Sequence, residues 1–123
     1  MKKILVVDDE FHIRKIIETK LKGAGHDVAT AGDGEEGLRL SKELLPDLVI
    51  LDLLMPKMNG LELCKALKEA DQTRNIPIIA LTALAQKSEI EKAKQAGADK
   101  VLTKPFSPRE LLSEVEETLG EDK

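Results

Sequence analysis

The chain has 123 residues, enough for one domain of ordinary size, and we expect a single domain over residues 1–123. Its formal net charge is −4, and its Lys and Arg residues are spread along the sequence, which argues against a surface for nucleic acid. The apolar runs are too short for a membrane span or a signal peptide, so we expect a cytoplasmic protein without direct membrane contact.

Short apolar runs rich in β-branched residues recur along the chain, and most end at a polar residue that could take part in chemistry. Residues 4–7 precede Asp8 and Asp9, residues 48–51 precede Asp52, residues 78–81 precede Thr82, and residues 101–103 precede Lys104. Such runs are typical of strands buried on both faces of a parallel sheet. A further strand is predicted near residues 26–30.

Helical periodicity fills the segments between these strands. The predicted helices cover residues 11–22, 33–45, a segment from 59 onward, 86–96 and a segment from 107 onward. Capping residues at Asp33, Asn59 and Ser107 mark where three of them begin, each with a Glu three residues later. We therefore expect an α/β fold of five βα units, a doubly wound parallel sheet of the flavodoxin-like type. Its expected strand order is 2-1-3-4-5, although the alternation alone does not fix that order.

Polar residues at the carboxyl ends of parallel strands should meet at one edge of the sheet, which here gathers Asp8, Asp9, Asp52, Thr82 and Lys104. Crowded carboxylates repel one another unless a cation lies among them. Oxygen ligands without a nearby His or Cys favour Mg²⁺ or Mn²⁺ over Zn²⁺. A carboxylate, a metal, an ammonium and a hydroxyl are the groups needed for phosphoryl transfer to an aspartate.

Each of these residues, taken singly, has a simpler structural explanation. An Asp at a strand end often caps the next helix, and Asp9 or Glu10 could do so here. A Thr at a strand end is usually a residue compatible with the strand, and a Lys before Pro is usually solvated. These explanations do not account for polar groups at equivalent places in successive βα units.

Five segments together resemble the receiver domain of response regulators in two-component signalling, a family that includes the chemotaxis regulator. The segments are VVDDE at 6–10, LDLLMPKMNG at 51–60, LTA at 81–83, AGAD at 96–99 and KPF at 104–106. Any one of them would be weak, but their joint order and spacing are specific.

The resemblance implies a set of metal-binding and phosphorylation residues. Asp52 would be the phosphoacceptor. Asp9, Asp52 and the backbone carbonyl of Leu54 would bind Mg²⁺ (or Mn²⁺) directly, and Asp8 would act through an intervening water.

The resemblance also implies how the site would sense a phosphoryl group. Lys104 would hold a phosphoryl oxygen, Thr82 would move towards the group as a switch, and the Lys104-Pro105 bond would be cis. Many receivers have an aromatic residue where this chain has Val101, so a switch based on that ring is not expected here.

The partners implied are a sensor histidine kinase or a histidine phosphotransfer protein in a phosphorelay. Downstream, we expect a protein target or the output domain of a longer regulator, without direct nucleic-acid contact. The chain would catalyse only its own phosphorylation and dephosphorylation, as a monomer or a weak phosphorylation-dependent dimer. Specificity is expected on the first helix and on the face formed by the fourth helix, fifth strand and fifth helix.

Two other function classes fit the sequence less well. An FMN-binding electron carrier shares the topology, but no Ser/Thr/Gly-rich phosphate loop follows the first strand, and the chain has two Phe and no Trp or Tyr. A metal-dependent phosphatase would need a second acid two residues after Asp52, where Leu54 stands. Outside the site, we expect Cys64 to be a buried hydrophobe and His26 a surface residue at a strand edge.

Overall fold

The structure is a computed structural model that describes residues 2–55, 57–84 and 86–120. Its elements confirm the predicted alternation of strands and helices. The strands are β1 (Lys3–Val7), β2 (Asp27–Ala31), β3 (Leu48–Asp52), β4 (Ile78–Thr82) and β5 (Lys100–Thr103). The helices are α1 (Phe11–Gly23), α2 (Gly34–Leu44), α3 (Gly60–Glu69), α4 (Lys87–Ala96) and α5 (Pro108–Leu119).

All strand pairs are parallel, and the order in the sheet is β2-β1-β3-β4-β5, as predicted. Strand β1 lies beside β3, with Val7 opposite Leu51. Strand β4 lies between β3 and β5, with Thr82 opposite Thr103. Because the strands run in one direction and end at nearly the same level, the residues that follow them meet at one edge of the sheet.

Two apolar clusters fill the two faces of this sheet. One combines Leu5, Val7 and their neighbours with residues of α2, α3 and α4, including the buried Cys64. The other combines Ile4, Val6 and their neighbours with residues of α1 and α5. The central strands are buried on both sides, so their β-branched runs fit the parallel sheet that they predicted.

The helix caps largely follow the sequence prediction. Asn59 and Ser107 each form a complete capping box with the Glu three residues later. Asp33 accepts a hydrogen bond from the backbone N–H of Glu36, as predicted, but the Glu36 carboxylate accepts from Gly32 rather than from Asp33. The hydrogen bond that the Glu36 side chain would accept from the N-cap residue Asp33 in a capping box is therefore accepted from the residue before it.

The prediction for His26 was wrong, since this residue is 7% exposed and not a surface residue. It precedes β2, and its backbone N–H donates to the carbonyl of Leu21 near the end of α1. That bond ties the residue against the helix end, which buries it. The burial of Cys64 is confirmed, and burial raises the pKa of its thiol to about 12.

The Lys104-Pro105 peptide bond is cis, as expected. Among the helices of the described ranges, none combines the length and hydrophobicity that crossing a membrane requires.

Candidate functional site

Two buried carboxylates lie side by side at the carboxyl edge of the sheet. Asp8 follows β1 directly, and Asp52 is the last residue of β3, which is the neighbouring strand. Asp8 is fully buried and Asp52 is 4% exposed. Each carboxylate accepts a backbone N–H from two residues further on: Asp8 from Glu10 at 2.9 Å and Asp52 from Leu54 at 3.3 Å. The βα loops therefore hold both acids in place.

Lys104 follows β5, the last strand in the sheet order, and its side chain places a positive charge between these two acids. Its backbone N–H donates to the carbonyl of Thr82 at 2.7 Å, which ties the residue after β5 to the end of β4. Its Nζ lies 3.4 Å from Oδ2 of Asp8, 3.4 Å from Oδ2 of Asp52 and 3.2 Å from Oε1 of Glu10. One ammonium thus contacts three carboxylates.

Burial dominates the electrostatics of the two acids. It raises the pKa of Asp8 and of Asp52, although hydrogen bonds and the Lys104 charge act in the opposite direction. For Lys104, burial lowers the pKa, but the charges of Asp52 and Asp8 and the bond to Glu10 outweigh it, so the net pKa is raised. The site holds more negative charge than its own cation neutralises.

The oxygen atoms present suit a hard divalent cation. Carboxylate oxygens of Asp8, Glu10 and Asp52 all lie within 4.8 Å of one another. Asp9 lines the same cleft as Asp52 and Leu54, and its charge is close enough to raise the pKa of Asp52. An all-oxygen set of this kind matches the ligands that Mg²⁺ takes in proteins.

Thr82 ends β4 and is 1% exposed. Its Oγ1 accepts the backbone N–H of Leu84 at 3.0 Å, so the hydroxyl proton remains for another acceptor. Leu54 lines the cleft and is 58% exposed, and Leu84, two residues after Thr82, is 40% exposed. The predicted residues Asp8, Asp52 and Lys104 are in direct contact, and Asp9 and Leu54 line the cleft beside them.

Sequence reasoning missed two contributors to the site. The sequence indicates Glu10 only as a possible helix cap and as the last residue of the VVDDE segment, but its carboxylate contacts Lys104. The sequence indicates no role for Arg14. Its Nη1 donates to the backbone carbonyl of Asp8 at 2.7 Å, and its guanidinium lies 5.6 Å from the ring centroid of Phe11. Two sequence features could have indicated these residues. Glu10 directly extends the acidic pair Asp8-Asp9, and Arg14 follows Glu10 by about one helical turn.

Comparison with known proteins points to one family. The family model of the response regulator receiver domain matches residues 4–116. A probable transcriptional regulator, ycf27, from Porphyridium aerugineum is 48% identical over 118 residues, which are 95% of this chain and 48% of that protein. The chain therefore spans about half the length of the curated relatives that it matches.

Solved structures give the same picture at the level of the fold. A putative response regulator from Chloroflexus aurantiacus J-10-fl has a TM-score of 0.92 and 38% identity, covering 97% of this chain and 98% of that one. The receiver domain of sensor histidine kinase PA1611 from Pseudomonas aeruginosa PAO1, which has a magnesium ion coordinated in its active-site cleft, has a TM-score of 0.89 and 30% identity, with coverage of 97% and 98%. The chain belongs to the response regulator receiver domain family.

Proposed function

We propose that this receiver domain is switched by phosphorylation of Asp52 and that it takes the phosphoryl group from a phosphohistidine donor. The observation that carries the proposal is the Lys104 ammonium 3.4 Å from the buried Asp52 carboxylate, at the edge where open α/β sheets bind ligands. A carboxylate in this position can act as the nucleophile, and the ammonium can stabilise the negative charge on the transferring group.

In the proposed transfer, one carboxylate oxygen of Asp52 forms a bond to phosphorus. The bond between phosphorus and the donor's imidazole nitrogen breaks, and its electron pair stays on that nitrogen. Lys104 then donates to one phosphoryl oxygen, and the free hydroxyl proton of Thr82 can be donated to another. Asp8 lies equally close to this ammonium, but Asp8 is fully buried, whereas Asp52 lines the open cleft where a phosphoryl group could bind.

We propose Mg²⁺ (or Mn²⁺) as the cofactor, with Asp9, Asp52 and the backbone carbonyl of Leu54 as direct ligands and Asp8 acting through an intervening water. When bound, the cation would neutralise charge on the phosphoryl oxygens. Support comes from the clustered carboxylates of Asp8, Glu10 and Asp52, from the place of Asp9 in the same cleft, and from the magnesium ion in the related receiver domain of PA1611. The chain's own catalysis would be limited to its phosphorylation and dephosphorylation.

We propose a sensor histidine kinase or a histidine phosphotransfer protein as the donor. An apolar groove of about 410 Å³ lies between α1 and the loop that joins β5 to α5, and it reaches Lys104 itself. Ile13, Ile16 and Phe106 are among its lining residues. A helical donor seated there would present its histidine next to Asp52.

The wider setting is also a proposal. We propose that residues 1–123 form one cytoplasmic receiver unit, monomeric or weakly dimeric after phosphorylation. Since the matched relatives are about twice as long, its output would be either a separate protein target or an output domain in a longer chain. Direct binding to nucleic acid or membrane by this unit is not expected, since its formal net charge is −4.

The conformational part of this proposal is tested by NMR with beryllofluoride, which mimics a phosphoryl group on an aspartate. In the presence of Mg²⁺, wild-type protein should show shifts around Asp52 and also in α4, because Thr82 and Lys104 respond to the new oxygens. Thr82→Ala should keep the shifts around Asp52 and lose those in α4. The proposal fails if Asp52→Asn responds like the wild type.

A further inference from the structure

Glu10 differs from the other two carboxylates that surround Lys104. Asp8 and Asp52 are buried, whereas the Glu10 side chain is 60% exposed, yet Glu10 makes the shortest of the three contacts with the ammonium. Glu10 also occupies the N-cap position of α1 without forming a side-chain capping bond. Its carboxylate therefore makes no capping hydrogen bond at the start of α1, and its described contact is with Lys104 at the mouth of the cleft.

The position of Glu10 sets up a competition for one ammonium. A phosphoryl group on Asp52 would present new oxygens in the cleft lined by Asp9, Glu10, Leu54 and Lys104. An ammonium has three N–H donors, and the contacts with Asp8, Asp52 and Glu10 occupy all of them, so a phosphoryl oxygen would have to replace one of these contacts. The buried Asp8 and Asp52 carboxylates contact the ammonium from inside the cleft. The exposed Glu10 carboxylate is the one of the three that contacts it from the mouth.

We propose that Glu10 is a positioning residue that holds Lys104 at the mouth of the cleft and competes with phosphoryl oxygens for its ammonium. This inference rests on the proposed function, since it assumes that Asp52 receives the phosphoryl group. Glu10 thereby lowers the affinity of the unphosphorylated site for phosphoryl-like anions. An ion pair with one partner this exposed changes an equilibrium by about two- to fivefold.

Two substitutions separate direct pairing from the general effect of a negative charge. Glu10→Gln keeps the length of the side chain and removes the charge. Glu10→Asp keeps the charge but shortens the side chain by one methylene, which withdraws the carboxylate from Lys104. Glu69→Gln is the matched control, because it makes the same charge change at the exposed last residue of α3, at the opposite edge of the sheet.

The experiment is a beryllofluoride titration of each variant, followed by NMR because the chain contains no Trp for a fluorescence readout. Mg²⁺ is held at a concentration shown to saturate each protein. We expect Glu10→Gln and Glu10→Asp to bind beryllofluoride about two- to fivefold more tightly than wild type, and Glu69→Gln to match wild type. The side-chain resonances of Lys104 should also move in both Glu10 variants before any beryllofluoride is added.

Three outcomes would overturn the inference: unchanged affinity in both Glu10 variants, tighter binding in Glu10→Gln alone, or weaker binding in Glu10→Gln. The second outcome would assign the effect to charge at a distance, and the third would assign Glu10 to cation binding. Failure of the proposed function looks different, since wild type and Asp52→Asn would then respond alike. If Asp52→Asn abolishes binding and the Glu10 variants match wild type, only the present inference falls.

Discussion

At the residue scale, the site combines two buried acids with a cation that is shared among three carboxylates. Burial makes the charged forms of Asp8 and Asp52 unfavourable, and Lys104 compensates only in part, since the pKa of each acid remains raised. Without metal, the ionised forms of these two acids therefore work against folding at neutral pH. This is the expected state of a site whose charge balance is completed by a bound cation.

The raised pKa of Asp52 predicts how its removal changes stability with pH. A folded-state pKa above the unfolded value means that protonation favours the folded state, so the ionised carboxylate is destabilising at neutral pH. Without metal, Asp52→Asn should be more stable than wild type at pH 7. This difference in unfolding free energy between the variant and wild type should narrow as pH falls through the raised pKa of Asp52. It should vanish below the ordinary carboxyl pKa of about 4. Urea unfolding in EDTA over a pH series measures it.

Asp33→Asn is the contrasting control for that series. The backbone N–H of Glu36 and the charge of Lys57 lower the pKa of Asp33, so its ionised form favours the folded state. This substitution should cost stability at neutral pH, and the loss should shrink as pH falls through the lowered pKa. A stability gain for Asp52→Asn that is independent of pH would contradict the electrostatic explanation.

The convergence of Asp8, Asp52 and Lys104 was predictable from sequence, because it follows from where parallel strands end. The pairing of Glu10 with Lys104 was not, since it depends on how far one exposed side chain reaches across the cleft. Burial of His26 was also missed, because it depends on a backbone bond to the end of α1 and not on the local pattern.

At the element scale, α3 begins directly against the strand end that carries Asp52. A Cβ added at Gly60 would lie 2.4 Å from the carbonyl oxygen of Asp52 and 2.5 Å from the Cα of Leu53. The N–H of Gly60 donates to the carbonyl of Leu53, which fixes this approach. A glycine is needed here because the backbone of the helix and that of the loop after β3 are too close for a side chain.

Gly60→Ala should therefore destabilise the protein by about 1–3 kcal/mol, the usual cost of overpacking a tight contact. Gly23→Ala is the matched control, since nothing lies within 4 Å of a Cβ there and the residue ends α1. It should be neutral or more stable by up to about 1 kcal/mol. Equal unfolding free energies for the two variants, from denaturant titrations, would show that the close approach at Gly60 does not constrain the helix.

At the scale of the whole molecule, the strand order makes the site possible. With β1 and β3 adjacent and the helices that follow them on opposite faces, the acids lie between these two helices at an edge that the described helices leave open. The apolar groove beside α1 opens next to the same Lys104, so a partner in the groove would touch the site directly. The fold was predictable from the alternation of apolar runs and caps, whereas the groove depends on how α1 and the loop before α5 pack.

The most direct test of the central claim is the position of the phosphoryl group after treatment with acetyl phosphate and Mg²⁺. Intact-protein mass spectrometry should show the addition of one phosphoryl group to wild type, and fragmentation should place it on Asp52. Asp52→Asn should show no addition under the same conditions. Undiminished labelling of Asp52→Asn, or a label that maps to another residue in wild type, would contradict the account.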